Sequence, residues 1–477
     1  MDNGHQLTWT VNEILEATGG ELLCGGHTHR FEKVSIDSRN ISAGDLFVAI
    51  AGEVHDGHRF IEDVIKAGVN GLVVAKEKKA KLPVAEWRAR DIACVAVDDT
   101  TRALGDLAAF HRSRTGVSLI AITGSNGKTT TRQMTASVVA RKFSTLSTIG
   151  NYNNQIGVPL TLLRLTPEHE WAVVELGTNS PGEIARLARI CSPDIGVITN
   201  IGPAHLEGLG SLDGVMHEKS QLIDHLKSRG RAVLNADDRR VYKIAGRTKK
   251  DVLFFGLSKN AAIRATALQE KVTGISFSLD LPGESLSVDL KVSGQFMVTN
   301  ALAAAAVGYL LKLSIAEIKS GLETFEPVWG RMNIFQTANG IHIIDDTYNA
   351  NPDSMQAAIS TLTALRANSR SVFVAGDMLE LGRRSEALHR QVGAWVAVAN
   401  IDRMLITGEF ANAVVSGAVD AGMRRNHIFT GSRNELLEEL QGFLQPGDWV
   451  LIKGSRGARM DTIVEGLKRW AGIKPEA

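Results

Sequence analysis

Short apolar runs recur along the chain, and stretches of helical periodicity separate them. In the middle of the sequence the runs at 118–123, 171–176, 195–199, 232–235 and 252–255 are apolar on both faces. Strands of that kind belong to a parallel sheet covered by helices on each side. Residues 262–292 alternate over shorter runs and turn at Pro282-Gly283, which predicts an antiparallel addition. An alanine-rich helix is expected over 298–311. The last third repeats the alternation, with strands at 341–345, 372–375, 404–407 and 449–453. One of its helices has a clear start: Asn351 caps, Pro352 takes the first helical position and Asp353 follows in the first turn. The first third is a smaller α/β unit. It has a helix at 11–18 ended by Gly19-Gly20, strands at 45–50 and 71–75, and between them a loop at 52–58 and a helix at 59–67. The fold class is α/β in three domains. They are a small N-terminal α/β domain (1–98), a central P-loop ATPase-like parallel-sheet domain (99–326) expected to own its core, and a C-terminal Rossmann-like domain (327–477). The last lacks G-x-G-x-x-G after its first strand, so nothing there points to a dinucleotide.

Composition narrows the classes. The 477 residues are 44% hydrophobic and 22% charged, ordinary for a globular protein. Lys+Arg 53 against Asp+Glu 52 gives no basic surplus for nucleic acid. Cys24, Cys94 and Cys191 are far apart and odd in number, which argues against a disulfide framework or a zinc site. No run resembles a signal peptide or a membrane span, so a cytoplasmic location without membrane insertion is expected.

The chemistry centres on Thr123-Gly124-Ser125-Asn126-Gly127-Lys128-Thr129-Thr130, between a strand and a helix expected over 131–141. Such a turn aims backbone N–H groups and the helix dipole at an anion, the lysine reaches terminal phosphates, and the Thr129 hydroxyl suits a Mg²⁺ shell. A nucleoside triphosphate is implied. Other polar residues close neighbouring strands, where ligands bind in open α/β sheets. Glu175 there suits a cation or a helix cap. His205, after a Gly/Pro turn, suits a metal or plain solvent. Lys219, within a helix, reads as a solvated lysine. The amide-rich loop 150–155 and the loops 345–349, 376–378 and 454–459 are further site candidates, the last with two arginines for an anionic group.

Taken together these residues resemble the Mur ligase family. The phosphate loop by itself also suits other ATP-dependent amide ligases such as folylpolyglutamate synthase. The stretches GNYNNQIGVP (150–159), NIGPAHLE (200–207), DDTYNANPDSM (345–355) and GDMLELG (376–382) carry the closer likeness. The resemblance implies an ATP-dependent ligase that joins D-alanyl-D-alanine to UDP-N-acetylmuramoyl-tripeptide through an acyl phosphate, working as a monomer. It implies two Mg²⁺ ions held near Thr129, Glu175, His205 and a Lys219 carbamylated by CO₂. Lys128 serves catalysis. Asn300, Arg331 and Asp346 join the phosphate loop in contacting the nucleotide. Ser38, Arg39, Asp56, Gly57 and His58, with Asn153, Asn154, Tyr348, Asn349, Ser455 and Arg456, fall on substrate-binding positions. A nucleotide-gated binding protein without ligase chemistry is the contrasting reading, and it has no use for Lys219 and His205 beside Lys128 and Glu175.

Overall fold

The computed structural model describes residues 7–52, 55–271 and 274–472. A nine-stranded sheet forms its centre. From one edge the strands run Glu284–Leu290, Gly274–Leu281, Ile263–Lys271, Asp251–Gly256, Arg231–Asn235, Ile195–Ile198, Ser118–Thr123, Trp171–Glu175 and Thr145–Ser147. The seven from Ile263–Lys271 onward pair in parallel and the first two join antiparallel. The alternating segment therefore continues the main sheet, its last two strands turning through Pro282-Gly283. The register sets Glu175 opposite Ile122 and Ile198 opposite Thr123, so three strands end side by side at one edge.

The helix after the phosphate loop opens at Lys128, three residues earlier than the apolar pattern suggested. Gly127, in the left-handed region at φ 78°, turns the chain directly into the helix. The first intrahelical N–H is that of Thr131, which donates to the Gly127 carbonyl at 2.8 Å. The N–H groups of Lys128, Thr129 and Thr130, in the first turn, have no intrahelical acceptor and are left for a ligand. The helix Gln295–Leu310 packs along this one and is buried along nearly its whole length.

The last sheet has six strands in the order Asn333–Gln336, His342–Asp346, Trp449–Lys453, Ser371–Ala375, Arg403–Ile406 and Ile428–Thr430. Only the first pair is antiparallel. Asn351 caps the helix Pro352–Leu365 as expected.

The first five-stranded sheet runs Glu21–Cys24, Ala93–Val97, Gly71–Ala75, Leu46–Val48 and Val34–Ser35. Cys24 and Cys94 are direct cross-strand partners, so two thiols far apart in sequence are neighbours in space. One face of this sheet has its own core of Phe47, Leu72, Val74, Ile61, Val64 and Trp87. The other face, through Val73, Val95 and Val97, belongs to the core that runs on into the central sheet. The helix Thr100–Thr115 is shared between them. Its Leu104, Leu107 and Ala108 join Trp9, Val11 and Ile14 in one apolar cluster, and the Arg114 guanidinium stacks 4.5 Å over the Trp9 ring. The central part thus does not own its core outright, because one side of this helix is covered by residues from the start of the chain.

Candidate active site

Between the carboxyl edge of the central sheet and the matching edge of the last sheet lies a cavity of about 670 Å³. From the central side it is lined by Ser125, Asn126, Gly127, Lys128, Thr129, Thr130, Asn153, Asn154, Glu175, His205 and Asn300. From the other side come Arg331, Asp346, Tyr348, Asn349, Ser455 and Arg456. These residues, all expected at a site from the sequence, lie in distant segments, and the fold brings them to one place.

The phosphate loop is bracketed by the next strand end. Ser125 N–H donates to the Asn200 carbonyl at 3.0 Å, Asn126 N–H to Asn200 Oδ1 at 2.8 Å, and Thr199 Oγ1 to the Asn126 carbonyl at 2.6 Å. Gly124 does not itself line the cavity. A Cβ there would meet Thr199 Oγ1 at 1.8 Å, so its role is to let that strand end approach. At Gly127 a Cβ would meet Asn300 Oδ1 at 2.3 Å. Lys128 turns back on its own loop, with Nζ donating to the Gly124 carbonyl at 2.9 Å and toward the Ser125 carbonyl at 3.4 Å. Burial pushes this amine below its ordinary range, Glu175 opposes that shift and Arg331 adds to it.

Glu175 is buried at the end of its strand. Its Oε1 accepts from Asn153 Nδ2 at 2.8 Å, while Oε2 accepts no hydrogen bond and faces Arg132 Nε at 3.8 Å. A buried carboxylate oxygen without a donor is costly unless a cation or ligand completes it. Asn153 therefore spends its amide on Glu175, and Asn154 Oδ1 caps the next turn by accepting from Ile156 and Gly157 N–H at 3.1 and 2.9 Å. Lys219 does not line the cavity. It is 1% exposed, and among the described residues its amine has no hydrogen-bond or ion-pair partner. Burial and the nearby Lys128 push that amine well below its usual range, against the pull of Glu218.

On the opposite wall the Arg331 guanidinium stacks 4.1 Å over the Tyr348 ring and that of Arg456 lies 5.3 Å from it. Asp346 pairs with the buried Lys453 and accepts from Met332 N–H at 3.2 Å. Lys453 also donates to the Asn349 carbonyl at 2.9 Å. Ser455 Oγ accepts from Leu379 N–H at 2.9 Å and lies 3.3 Å from the Ala350 carbonyl, so its hydroxyl is engaged within the loop.

Ser38, Arg39, Asp56, Gly57 and His58 are outside this cavity. Asp37 holds Arg39 in a two-pronged ion pair. His58 is locked inside its domain, with Nδ1 on Asp56 at 2.7 Å and Nε2 accepting from Ala75 N–H at 2.9 Å. Asp56 also pairs with Lys78.

Several residues of the site do not stand out in the sequence. Lys453 reads there only as a strand end, and Arg132 only as part of a helix. Glu380 lines the cavity beside His205, and its one signal is its place after a strand end in 376–382.

Family comparisons agree with this geometry. Residues 122–308 match the Mur ligase middle domain, 330–456 the Mur ligase glutamate ligase domain, and 30–112 the Mur ligase family catalytic domain. A UDP-N-acetylmuramoyl-tripeptide–D-alanyl-D-alanine ligase of Escherichia coli (strain K12) is 36% identical, over 96% of this chain and 98% of that protein. A crystal structure of MurF from Acinetobacter baumannii superposes with a TM-score of 0.88 at 34% identity, covering 97% of this chain and 99% of that one. A MurF ligase from Thermotoga maritima in complex with ADP gives 0.82 at 27% identity, covering 92% and 98%. A chain with this cavity, these three matched regions and relatives alike from end to end belongs to the Mur ligase family.

Proposed function

We propose that this Mur ligase joins D-alanyl-D-alanine to the terminal carboxylate of UDP-N-acetylmuramoyl-tripeptide, converting ATP to ADP and phosphate. The supporting observation is the single cavity lined by a phosphate loop on one wall and by stacked arginines on the other. Its full-length similarity to ligases of that name supports the choice of substrates.

A carboxylate is a poor electrophile, so it must first be activated. The tripeptide carboxylate attacks the γ-phosphorus of ATP and ADP leaves. The dipeptide amine then attacks the acyl carbon, and phosphate departs with one of the original carboxylate oxygens. Positioning and charge neutralisation supply most of the acceleration. The first-turn N–H groups of Lys128, Thr129 and Thr130 hold the β- and γ-phosphates. Lys128 exchanges its two loop carbonyls for phosphate oxygens, and the anion favours its charged form against the burial that disfavours it. Asn300 and Arg331 hold the nucleotide from the side. Arg456, with Tyr348 as its platform, meets an anionic group of substrate, while Asp346 fixes the 346–349 loop.

A divalent cation suits the residues present. Glu175 Oε2 is buried and accepts no hydrogen bond, with Arg132 Nε 3.8 Å away, and Thr129 and His205 face the same cavity. When bound with the nucleotide, Mg²⁺ supplies charge neutralisation at the transferred phosphoryl group. Among the described residues no three His, Cys, Asp or Glu side chains form a ready-made cage, so Glu175, Thr129 and His205 would hold the cation together with the nucleotide. In the same reading Lys219 adds CO₂. The unprotonated amine is the form that attacks CO₂, and burial favours that form. The product would be an anionic carbamate with one proton released, and it would supply, with His205, negative charge and donors for a second Mg²⁺. Ser38, Arg39 and the Asp56–His58 turn belong to the part that holds the UDP-sugar, in a division of the chain at 98 and 326. No described helix is long and apolar enough to cross a membrane, and we place the enzyme in the cytoplasm as a monomer.

Phosphate release by the purified protein tests the proposal. It should require ATP, the UDP-linked tripeptide and D-alanyl-D-alanine together, with the pentapeptide detected by mass. Turnover with folate and glutamate, or with a single amino acid in place of the dipeptide, would redirect the assignment to another ligase of this fold.

A further inference from the structure

Glu380 has no part in the reaction as derived, yet it makes a direct link between the two walls of the cavity. It stands between the strand Ser371–Ala375 and the helix Ser385–Val398. Its Oε2 lies 2.5 Å from Nδ1 of His205 on the central side. The backbones dock as well, since Glu207 N–H donates to the Glu380 carbonyl at 3.1 Å. A Cβ added to Gly382 would stand only 3.3 Å from Glu207 Cα.

The loop that carries Glu380 is braced from behind. Asp377 accepts from the N–H groups of Glu409 and Phe410 at 2.8 and 3.1 Å. Met378 N–H donates to His389 Nε2 at 2.9 Å, Leu379 N–H reaches Ser455 Oγ, and the side chains of Met378 and Leu381 are buried. Glu380 (φ 63°) and His205 (φ 54°) both hold left-handed backbone, which residues other than glycine keep only where their surroundings fix them. Against a carboxylate, Nδ1 of the imidazole must donate. In the neutral ring Nε2 then carries the free lone pair. Among the described residues Nε2 of His205 has no hydrogen-bond partner, and the residue lines the cavity with Lys128 and Glu175.

We propose that Glu380 is a positioning residue that makes cation binding at His205 conditional on docking of the C-terminal sheet. Docking brings the carboxylate onto Nδ1–H, which fixes the tautomer and aims Nε2 at the cation. Carboxylates behind metal-bound histidines act in this way. Because coupling is reciprocal, the bound cation in turn favours the docked arrangement. The inference rests on the reading of His205 as a cation donor.

The test uses the full-length protein with Mn²⁺ and a non-hydrolysable ATP analogue. Electron paramagnetic resonance reads Mn²⁺ affinity. A fluorophore pair at introduced cysteines (Ser228→Cys and Asn426→Cys) reads the distance between the walls. Glu380→Ala should weaken Mn²⁺ binding roughly 10- to 100-fold and lengthen the mean distance. Glu380→Gln, whose amide oxygen still accepts from Nδ1–H, should fall between Glu380→Ala and wild type. His205→Ala should lose Mn²⁺ affinity at least as far. If His205→Ala loses affinity and Glu380→Ala keeps it, the positioning role is overturned while the cation reading stands, even if the distance changes. If His205→Ala keeps wild-type affinity, the cation reading fails and the proposal fails with it.

Discussion

Replacing Lys219 with methionine should make the ligand-free protein more stable and the enzyme inactive. The residue is 1% exposed, without a hydrogen-bond or ion-pair partner among the described residues, and burial followed by repulsion from Lys128 lowers its pKa well below the ordinary value. The sign follows from proton counting. Between the lowered folded-state pKa and the unfolded value of about 10.4, the unfolded chain holds more protons than the folded one. Wild-type stability therefore rises with pH through that window, and the burial cost is gone above it. Methionine carries no such cost, and its flexible stem fills similar space with a repacking penalty below about 1.5 kcal/mol. The advantage of Lys219→Met should shrink as pH rises through that window, by at most about 1.4 kcal/mol for each pH unit. Urea titrations in CO₂-free buffer over a pH of about 6.5 to 9.5, read through amide-exchange protection of the helix Leu212–Asp224, measure it. Turnover is assayed on the same preparations. A variant less stable than wild type at the low end of that range, or a difference that does not vary with pH, would refute the lowered pKa of the buried amine and with it the physical basis for carbamylation.

Lys128→Ala should fold normally and lose roughly 10²-fold or more in turnover, and near-normal ligation by the folded variant would remove the phosphate-loop assignment. The Asp346–Lys453 pair should be asymmetric, because the Lys453 side chain is 2% exposed and that of Asp346 14%. Asp346→Asn leaves the more buried charge alone and should cost about 3–5 kcal/mol, with Lys453→Met costing less, both read by exchange in the strand Trp449–Lys453. The reverse order would contradict the pairing. A chain that begins at residue 99 should aggregate or lose cooperative unfolding, since it uncovers the side of Thr100–Thr115 that packs on Trp9, Val11 and Ile14. A soluble fragment with a sharp transition would show that the core is not shared.

The central strands are legible because each hides both faces, and Ser118–Thr123 and Trp449–Lys453 lie where their apolar runs place them. Asn333–Gln336 and Ile428–Thr430 are not, since both are short edge strands and mostly half-buried, which leaves little pattern to read. The start of the phosphate-loop helix is misplaced by pattern because Lys128, Thr129 and Thr130 carry no apolar periodicity, and only the left-handed Gly127 sets that boundary. Phosphate-loop and strand-end residues can be found from one segment at a time. Glu380, Lys453 and Arg132 cannot, because each matters through a partner in a distant segment, His205, Asp346 and Glu175 respectively. The cross-strand neighbours Cys24 and Cys94 escape notice for the same reason. Sequence distance also hides the shared core, which joins Trp9 to Leu107 through a helix that the sequence assigns wholly to the central domain.

One cavity, on this mechanism, activates a carboxylate by phosphorylation and then passes the acyl group to an amine. Isotope transfer tests it directly. The tripeptide is prepared with both oxygens of its terminal carboxylate as ¹⁸O and turned over with ATP and D-alanyl-D-alanine. An acyl phosphate requires that one labelled oxygen leave with the phosphate and the other remain in the new amide. The expected products are inorganic phosphate carrying one ¹⁸O per amide bond formed, and ADP. Unlabelled phosphate, or release of AMP and pyrophosphate, would contradict the mechanism.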